Sequence, residues 1–307
     1  MLKLAAVLIA LTCLATPVSA DDEHLSVFVS VPPQKTFVER IGGNHVEVTA
    51  LLQPESNPHT YEPTPRFVEA LAAADLFMPI GMPFEAALMN RLRAANPTMA
   101  IVDARKGLSL RPLDKHVHEA AMDARGHQDH EDHAADDEHH DTDENALDPH
   151  VWTSPPLVAT MATTIRDELT RLDPDHAADY AANLDVFVAE LHALDAAIRA
   201  DLAPLAGSAF MVYHPAWGYF AETYGLIQIP IEHEGKSPGP RTLSALIDRA
   251  RAAGIQVILV EPQFSPRAAE QVARAIGGRV ATVDPLTPDY IANLRQVAHT
   301  IAAAARP

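Results

Sequence analysis

The apolar positions of this chain change their period along its length, and each change marks an element. Between residues 25 and 104, residues 26–31 (SVFVSV), 46–52, 76–80 and 99–102 are short runs rich in Val, Ile, Leu and Phe, as buried strands are. Between them, residues 34–41, 65–74 and 84–95 read as helices. Gly42-Gly43 stop the first, and Thr64 followed by Pro65 opens the second. Strands separated by helices need crossover connections, which predicts a parallel sheet.

Order resumes at Asp148-Pro149-His150-Val151-Trp152, and Ser154 caps a helix that runs to about residue 172. Asp173-Pro174 opens a longer one. Tyr180, Leu184, Phe187, Leu191, Leu194, Ile198 and Leu202 recur at steps of three and four, and no Gly or Pro interrupts before Pro204. Some thirty residues at ~1.5 Å each give a rod of about 45 Å, long enough to run from one domain to another. After Gly207 the alternation returns, with strands at 209–213, 227–231, 256–260 and 279–283 and helices at 217–224, 243–253, 267–276 and 289–304. The expected fold is α/β. Two similar lobes, residues 21–172 and 207–307, each hold a mostly parallel sheet flanked by helices, and one long rigid helix in 173–206 joins them.

Two segments break this pattern. Residues 1–20 carry Lys3, an apolar stretch from 4 to 14 and the small residues Val18-Ser19-Ala20, which reads as a secretory signal peptide. The stretch is short for a membrane span, although an N-terminal anchor is the plain alternative. Cys13 is the only cysteine and leaves with the signal, so a metal site in the mature chain must use His, Asp or Glu. Residues 114–148 are the second break. They hold seven of the 16 histidines, namely His116, His118, His127, His130, His133, His139 and His140, among thirteen acidic residues. Such a tract cannot build a core, but it can catch divalent transition metals in transient geometries. The alternative is a solvated acidic linker. A formal charge of −18 makes nucleic acid or an anionic membrane a poor partner and a cation a good one.

Ligands of open parallel sheets bind at the carboxyl ends of the strands. His59 lies in the loop after strand 46–52, His214 follows strand 209–213, Asp284 follows strand 279–283, and His150 precedes the helix at Pro155. Three imidazoles and a carboxylate suit tetrahedral zinc if the lobes face each other. Each of these residues alone also reads as an ordinary loop or cap residue. His233, between Glu232 and Glu234, is as suitable by type.

The motifs NPHTYEPTP, DPHVW, HPAWGYFAETYGL, EGKSPGPRTL, EPQFSP and VDPL, in this order over nearly the whole mature chain, resemble the solute-binding proteins of zinc and manganese ABC importers, the ZnuA-like family. The resemblance implies two α/β lobes with metal in the cleft between them, and His59, His150, His214 and Asp284 as ligands. In that family manganese members usually carry glutamate at the third position, so His214 implies zinc. It further implies a periplasmic, non-catalytic, monomeric carrier that delivers Zn²⁺ to an importer's membrane permease, with a metallochaperone as a further candidate partner that loads it. The histidine tract is then an accessory, weaker metal-binding element. The alternatives are a manganese-binding homologue, a metal-binding adhesin, or a secreted zinc hydrolase, which the absence of an HExxH motif disfavours. Glu62, Asp148 and Glu261 are candidates to support the ligands from behind, and Tyr61, Trp152, Trp217 and Phe264 to line the cleft.

Overall fold

Two four-stranded parallel sheets of identical order form the two lobes. The computed structural model describes residues 24–53, 55–113, 147–232 and 235–304. The signal-peptide reading, the seven tract histidines and His233 therefore lie outside the described residues. Among the described residues no helix is long and apolar enough to cross a membrane.

In the first lobe the strands are β1 (Leu25–Val29), β2 (Val46–Ala50), β3 (Leu76–Met78) and β4 (Ala100–Ile101), in the order β2-β1-β3-β4. In the second they are β5 (Ala209–Val212), β6 (Ile227–Pro230), β7 (Val257–Val260) and β8 (Arg279–Thr282), in the order β6-β5-β7-β8. The register sets Val27 beside Val48 and Leu76, and Met211 beside Ile229 and Ile258. In both sheets the chain steps outward first to one side and then to the other. That leaves a crevice at the carboxyl ends of the central strands, where ligands of such sheets bind.

The first-lobe helices are α1 (Pro32–Gly42), α2 (Pro65–Ala72), α3 (Pro83–Ala95) and α4 (Pro155–Leu172). Each begins with proline in its first turn, where the missing N–H costs nothing. Thr64 caps α2 as expected, its side-chain oxygen accepting from Phe67 N. The long connecting helix is α5 (Ala177–Leu202), followed by α6 (Gly218–Tyr224), α7 (Pro240–Ala252), α8 (Arg267–Ile276) and α9 (Tyr290–Ala304).

Some boundaries depart from the periodicity. The α-helical part of the connector starts at Ala177, after a 3₁₀ turn over Pro174–His176. Asp173 does not cap it, because its Oδ2 accepts from His176 Nδ1 (2.6 Å) and the Tyr180 hydroxyl (2.5 Å). The 26 residues of α5 give about 39 Å at ~1.5 Å per residue. Helix α7 starts at Pro240, three residues before the apolar run suggests, because proline is preorganised for a first turn.

All seven apolar residues of the periodic face of α5 are buried. The helix packs against α1, α4 and α9 and so belongs to both lobes. Asn183 Nδ2 donates to Ile41 O (3.0 Å), and Arg199 Nη1 donates to Thr223 O (3.0 Å). One hydrophobic cluster runs without a break from β1–β3 through α5 to Phe210, Trp217 and Tyr290, and a smaller one lies within the second lobe. Direct contacts close the seam. Phe37 meets Tyr290 edge-on at 4.9 Å, Thr36 Oγ1 donates to Pro288 O (2.8 Å), and Trp152 Nε1 donates to Pro285 O (2.8 Å). A shared core of this kind resists large hinge opening, because opening would expose buried apolar surface.

Candidate metal site

Every strand of the second lobe is followed within two residues by a polar side chain: His214 after β5, Glu232 after β6, Glu261 after β7 and Asp284 after β8. The first lobe supplies His59 from the loop after β2 and His150 from the turn before α4. His59, His150, His214 and Glu232 line one cleft of about 490 Å³, whose walls include Pro58, Met82, Arg105 and Pro215.

His150 and His214 are both buried and held the same way. His150 Nδ1 donates to Asp148 Oδ1 (2.8 Å), and the same oxygen accepts His150 N (3.0 Å). His214 Nδ1 donates to Glu232 Oε1 (2.6 Å), while Glu261 Oε2 accepts His214 N (3.2 Å). Once both Nδ1 atoms donate to carboxylates, both Nε2 atoms carry lone pairs. Those two Nε2 atoms face each other at 3.2 Å. Two facing lone pairs repel unless a cation or proton lies between them. Two ligands at about 2.0–2.1 Å from a tetrahedral zinc stand about 3.3 Å apart, so the spacing suits one ion.

His59 is the exposed member, turned by a hydrogen bond from its own N to Asn57 Oδ1 (2.9 Å). Its Nε2 stands 3.4 Å from His214 Nδ1, and its ring meets the His214 ring edge-on at 4.8 Å. Phe264 stacks on the His214 ring at 4.9 Å.

Donor atoms of His59, His214 and Glu232 all lie within 4.8 Å of one another, which makes Glu232 a possible ligand by proximity. The distances argue otherwise. At 2.6 Å, Glu232 Oε1 and His214 Nδ1 are at hydrogen-bond distance, well inside the roughly 3.3 Å separation of two ligands on one tetrahedral zinc. In this arrangement Glu232 orients His214, as Asp148 orients His150.

The structure thus lines one cleft with all three histidines, His150 against the Nε2 of His214 and His59 against its Nδ1, but leaves Asp284 outside this group. Asp284 Oδ1 accepts from Gln263 Nε2 (2.9 Å) and Leu286 N (3.0 Å). It is close by in the fold, since the adjoining Pro285 carbonyl takes the Trp152 indole and Gln263 neighbours Phe264. Of the supporting candidates, Asp148 bonds a ligand ring. Glu261 bonds the His214 backbone and the Trp217 indole (3.2 Å), and Glu62 is exposed. Glu232 was visible in the sequence only as a neighbour of His233, although the strand-end rule that selects His214 selects it equally. Trp152 and Trp217 are core residues whose edges reach the site, and Tyr61 packs on Phe84.

Burial holds the His214 pKa well below the usual imidazole value, and the nearby His150 and His59 push it further down against the pull of Asp148. Burial also lowers His59, partly opposed by Glu232; although its surface is exposed, its ring is crowded by protein on one side. Both rings are therefore neutral and ready to ligate at pH 7. Glu261 moves the other way. Full burial pushes it up to about 8, against hydrogen bonds that favour its charged form. Its unfolded value lies near 4.3, so the unfolded chain loses this proton first and the folded state is penalised as pH rises through about 8. The metal-free protein should accordingly lose stability through this group as pH rises from about 4.5 to about 8, and level off above that. Glu261→Gln should flatten that dependence. Equal slopes for the two proteins in a thermal-denaturation series would refute the assignment.

Comparison with known proteins identifies the family. The profile of the family described as zinc-uptake complex component A, periplasmic (ZnuA), matches residues 27–304. The high-affinity zinc uptake system protein ZnuA of Yersinia pestis is 30% identical over 270 residues, covering 85% of this chain and 83% of that protein. The protein of the same name from Bacillus subtilis (strain 168) is 29% identical over 277 residues, covering 89% and 82%. A crystal structure of a 138–173 deletion mutant of ZnuA with zinc bound superposes with a TM-score of 0.79 at 38% identity, covering 92% of this chain and all of that one. On the match across nearly its whole length, the chain belongs to the ZnuA family of periplasmic zinc-uptake components.

Proposed function

We propose that the protein captures Zn²⁺ in the cleft between its lobes and hands it to the membrane permease of an ABC importer. The observation that carries this reading is the pair of Nε2 atoms 3.2 Å apart, each backed by a buried carboxylate. His59 is the third ligand, brought in from the exposed loop. Asp284 is the chain's own carboxylate for the fourth position. To reach it, Oδ1 must give up Gln263 or the side chain must offer Oδ2. The zinc is cargo and not a resident cofactor.

Three imidazoles with an open position also suit a catalytic zinc. Here the nearest carboxylates all make hydrogen bonds: Asp148 with His150 and Arg111, Glu232 with His214, and Glu261 with His214 and Trp217. That arrangement favours holding an ion over activating a water. His214, where manganese members carry an oxygen ligand, favours the zinc reading over manganese. Export through the 1–20 signal, a monomeric state and loading by a metallochaperone belong to the same proposal.

The histidine tract enters as an accessory collector. Pro112 and Leu147 form an antiparallel bridge, and Leu113 and Leu147 line the cleft, so both ends of the tract are fixed at its mouth. Ordering such a segment around one ion costs conformational entropy, so its sites should be weaker. Calorimetry of a protein lacking residues 116–140 should retain the tight zinc phase and lose the weak equivalents. Loss of the tight phase with the weak one retained would reverse the assignment of the two sites.

A further inference from the structure

Behind His150 stands a chain of contacts that crosses from one lobe to the other. Asp148 Oδ1 takes both His150 donors, while Oδ2 accepts Arg111 Nη1 (2.9 Å). The Asp148 side chain is fully buried and that of Arg111 largely so. The second lobe covers the pair. Tyr219 OH donates to Asp148 O (3.0 Å) and accepts from Arg111 N (3.1 Å), and the Arg111 guanidinium lies 5.8 Å from the Tyr219 ring centre. Gly218 closes the cover. A Cβ at that position would lie 1.7 Å from Arg111 Nη1 and 2.9 Å from Asp148 Oδ2, so only a hydrogen fits against the ion pair.

His214 and Gly218 belong to the same short motif, HPAWGYF. One segment of the second lobe therefore provides a ligand and also shields the carboxylate that aims the other lobe's ligand.

We infer that Arg111 is a positioning residue for zinc, acting through Asp148 on His150, and that Gly218 and Tyr219 of the second lobe hold this relay in place. This rests on His150 being a ligand. Asp148 needs a second partner to stay fixed when its other oxygen holds the imidazole. A guanidinium fork supplies that partner with fixed geometry, as an ammonium does not.

The test is zinc affinity by chelator competition on the full mature chain, with thermal unfolding of each metal-free variant as the check on folding. Arg111→Met should weaken zinc about 10–100-fold, as loss of such partners of metal ligands does. Arg111→Lys should recover part of that loss. The decisive measurement is coupling. In a His150→Ala background Arg111→Met should change affinity by less than about threefold, whereas in a His59→Ala background it should keep its full factor. Gly218→Ala, which displaces the guanidinium without removing it, should behave like Arg111→Met. The inference is overturned if Arg111→Met leaves zinc affinity unchanged, or if its factor is the same in both histidine backgrounds. Should Arg111→Met fail to fold, the same two comparisons are made with Gly218→Ala. If His150→Ala alone leaves zinc binding intact, the ligand assignment fails, and that outcome is distinct from failure of the relay.

Discussion

His214→Ala should weaken zinc binding more than any other single change in the protein, and by more than the roughly 10–100-fold that loss of a supporting partner costs. The imidazole is the hub of the site. Its Nε2 faces His150, its Nδ1 faces Glu232 and His59, and Phe264 stacks on its ring. Alanine removes a ligand and also leaves the buried Glu232 without the imidazole N–H, which is costly for a buried carboxylate. His59→Ala removes a ligand from an exposed loop and leaves no buried carboxylate behind, so its cost should be smaller. Competition with a chelator of known affinity measures both. Near-native zinc affinity in the His214→Ala protein would remove this residue from the site.

His214→Glu should move selectivity from zinc toward manganese. It exchanges a borderline nitrogen for a hard oxygen and sets a second carboxylate beside Glu232. Two carboxylates at that spacing repel in the metal-free protein, and a divalent cation relieves the repulsion. Zinc binding need not vanish, since zinc lies above manganese in the general order of affinity. The quantity to measure is the ratio of the two affinities, which should fall by about tenfold or more. An unchanged or increased zinc-to-manganese ratio would show that the third position does not set the preference.

Both variants act on a residue that the sequence itself identifies. The alternation of strands and helices, with the periodic face of α5, was enough to predict two α/β lobes and a long connector, because burial imposes those periods on the chain. His214 and His150 were legible because ligand sites in parallel sheets gather at strand ends and because the motifs around them resemble a known family. With Cys13 the only cysteine, residues 14–307 offer a metal side chains of His, Asp and Glu and no thiolate, which narrows the ligand types before any geometry.

What stayed hidden depends on distance. Glu232 and Asp284 are both acids just after a strand, and nothing in one dimension separates them. Only the fold shows Glu232 hydrogen-bonded to His214 and Asp284 held by Gln263 and Leu286 N. Arg111 stands at the edge of the acidic tract and looks like a solvated charge, yet it is fastened to Asp148 under Gly218, more than a hundred residues away in the chain. Composition and period report which groups must be buried or solvated, since that is set by each residue's own chemistry. Which buried groups meet, and which atom of each imidazole is left to bind an ion, is decided only when two lobes close on one core and every polar atom inside must find a partner.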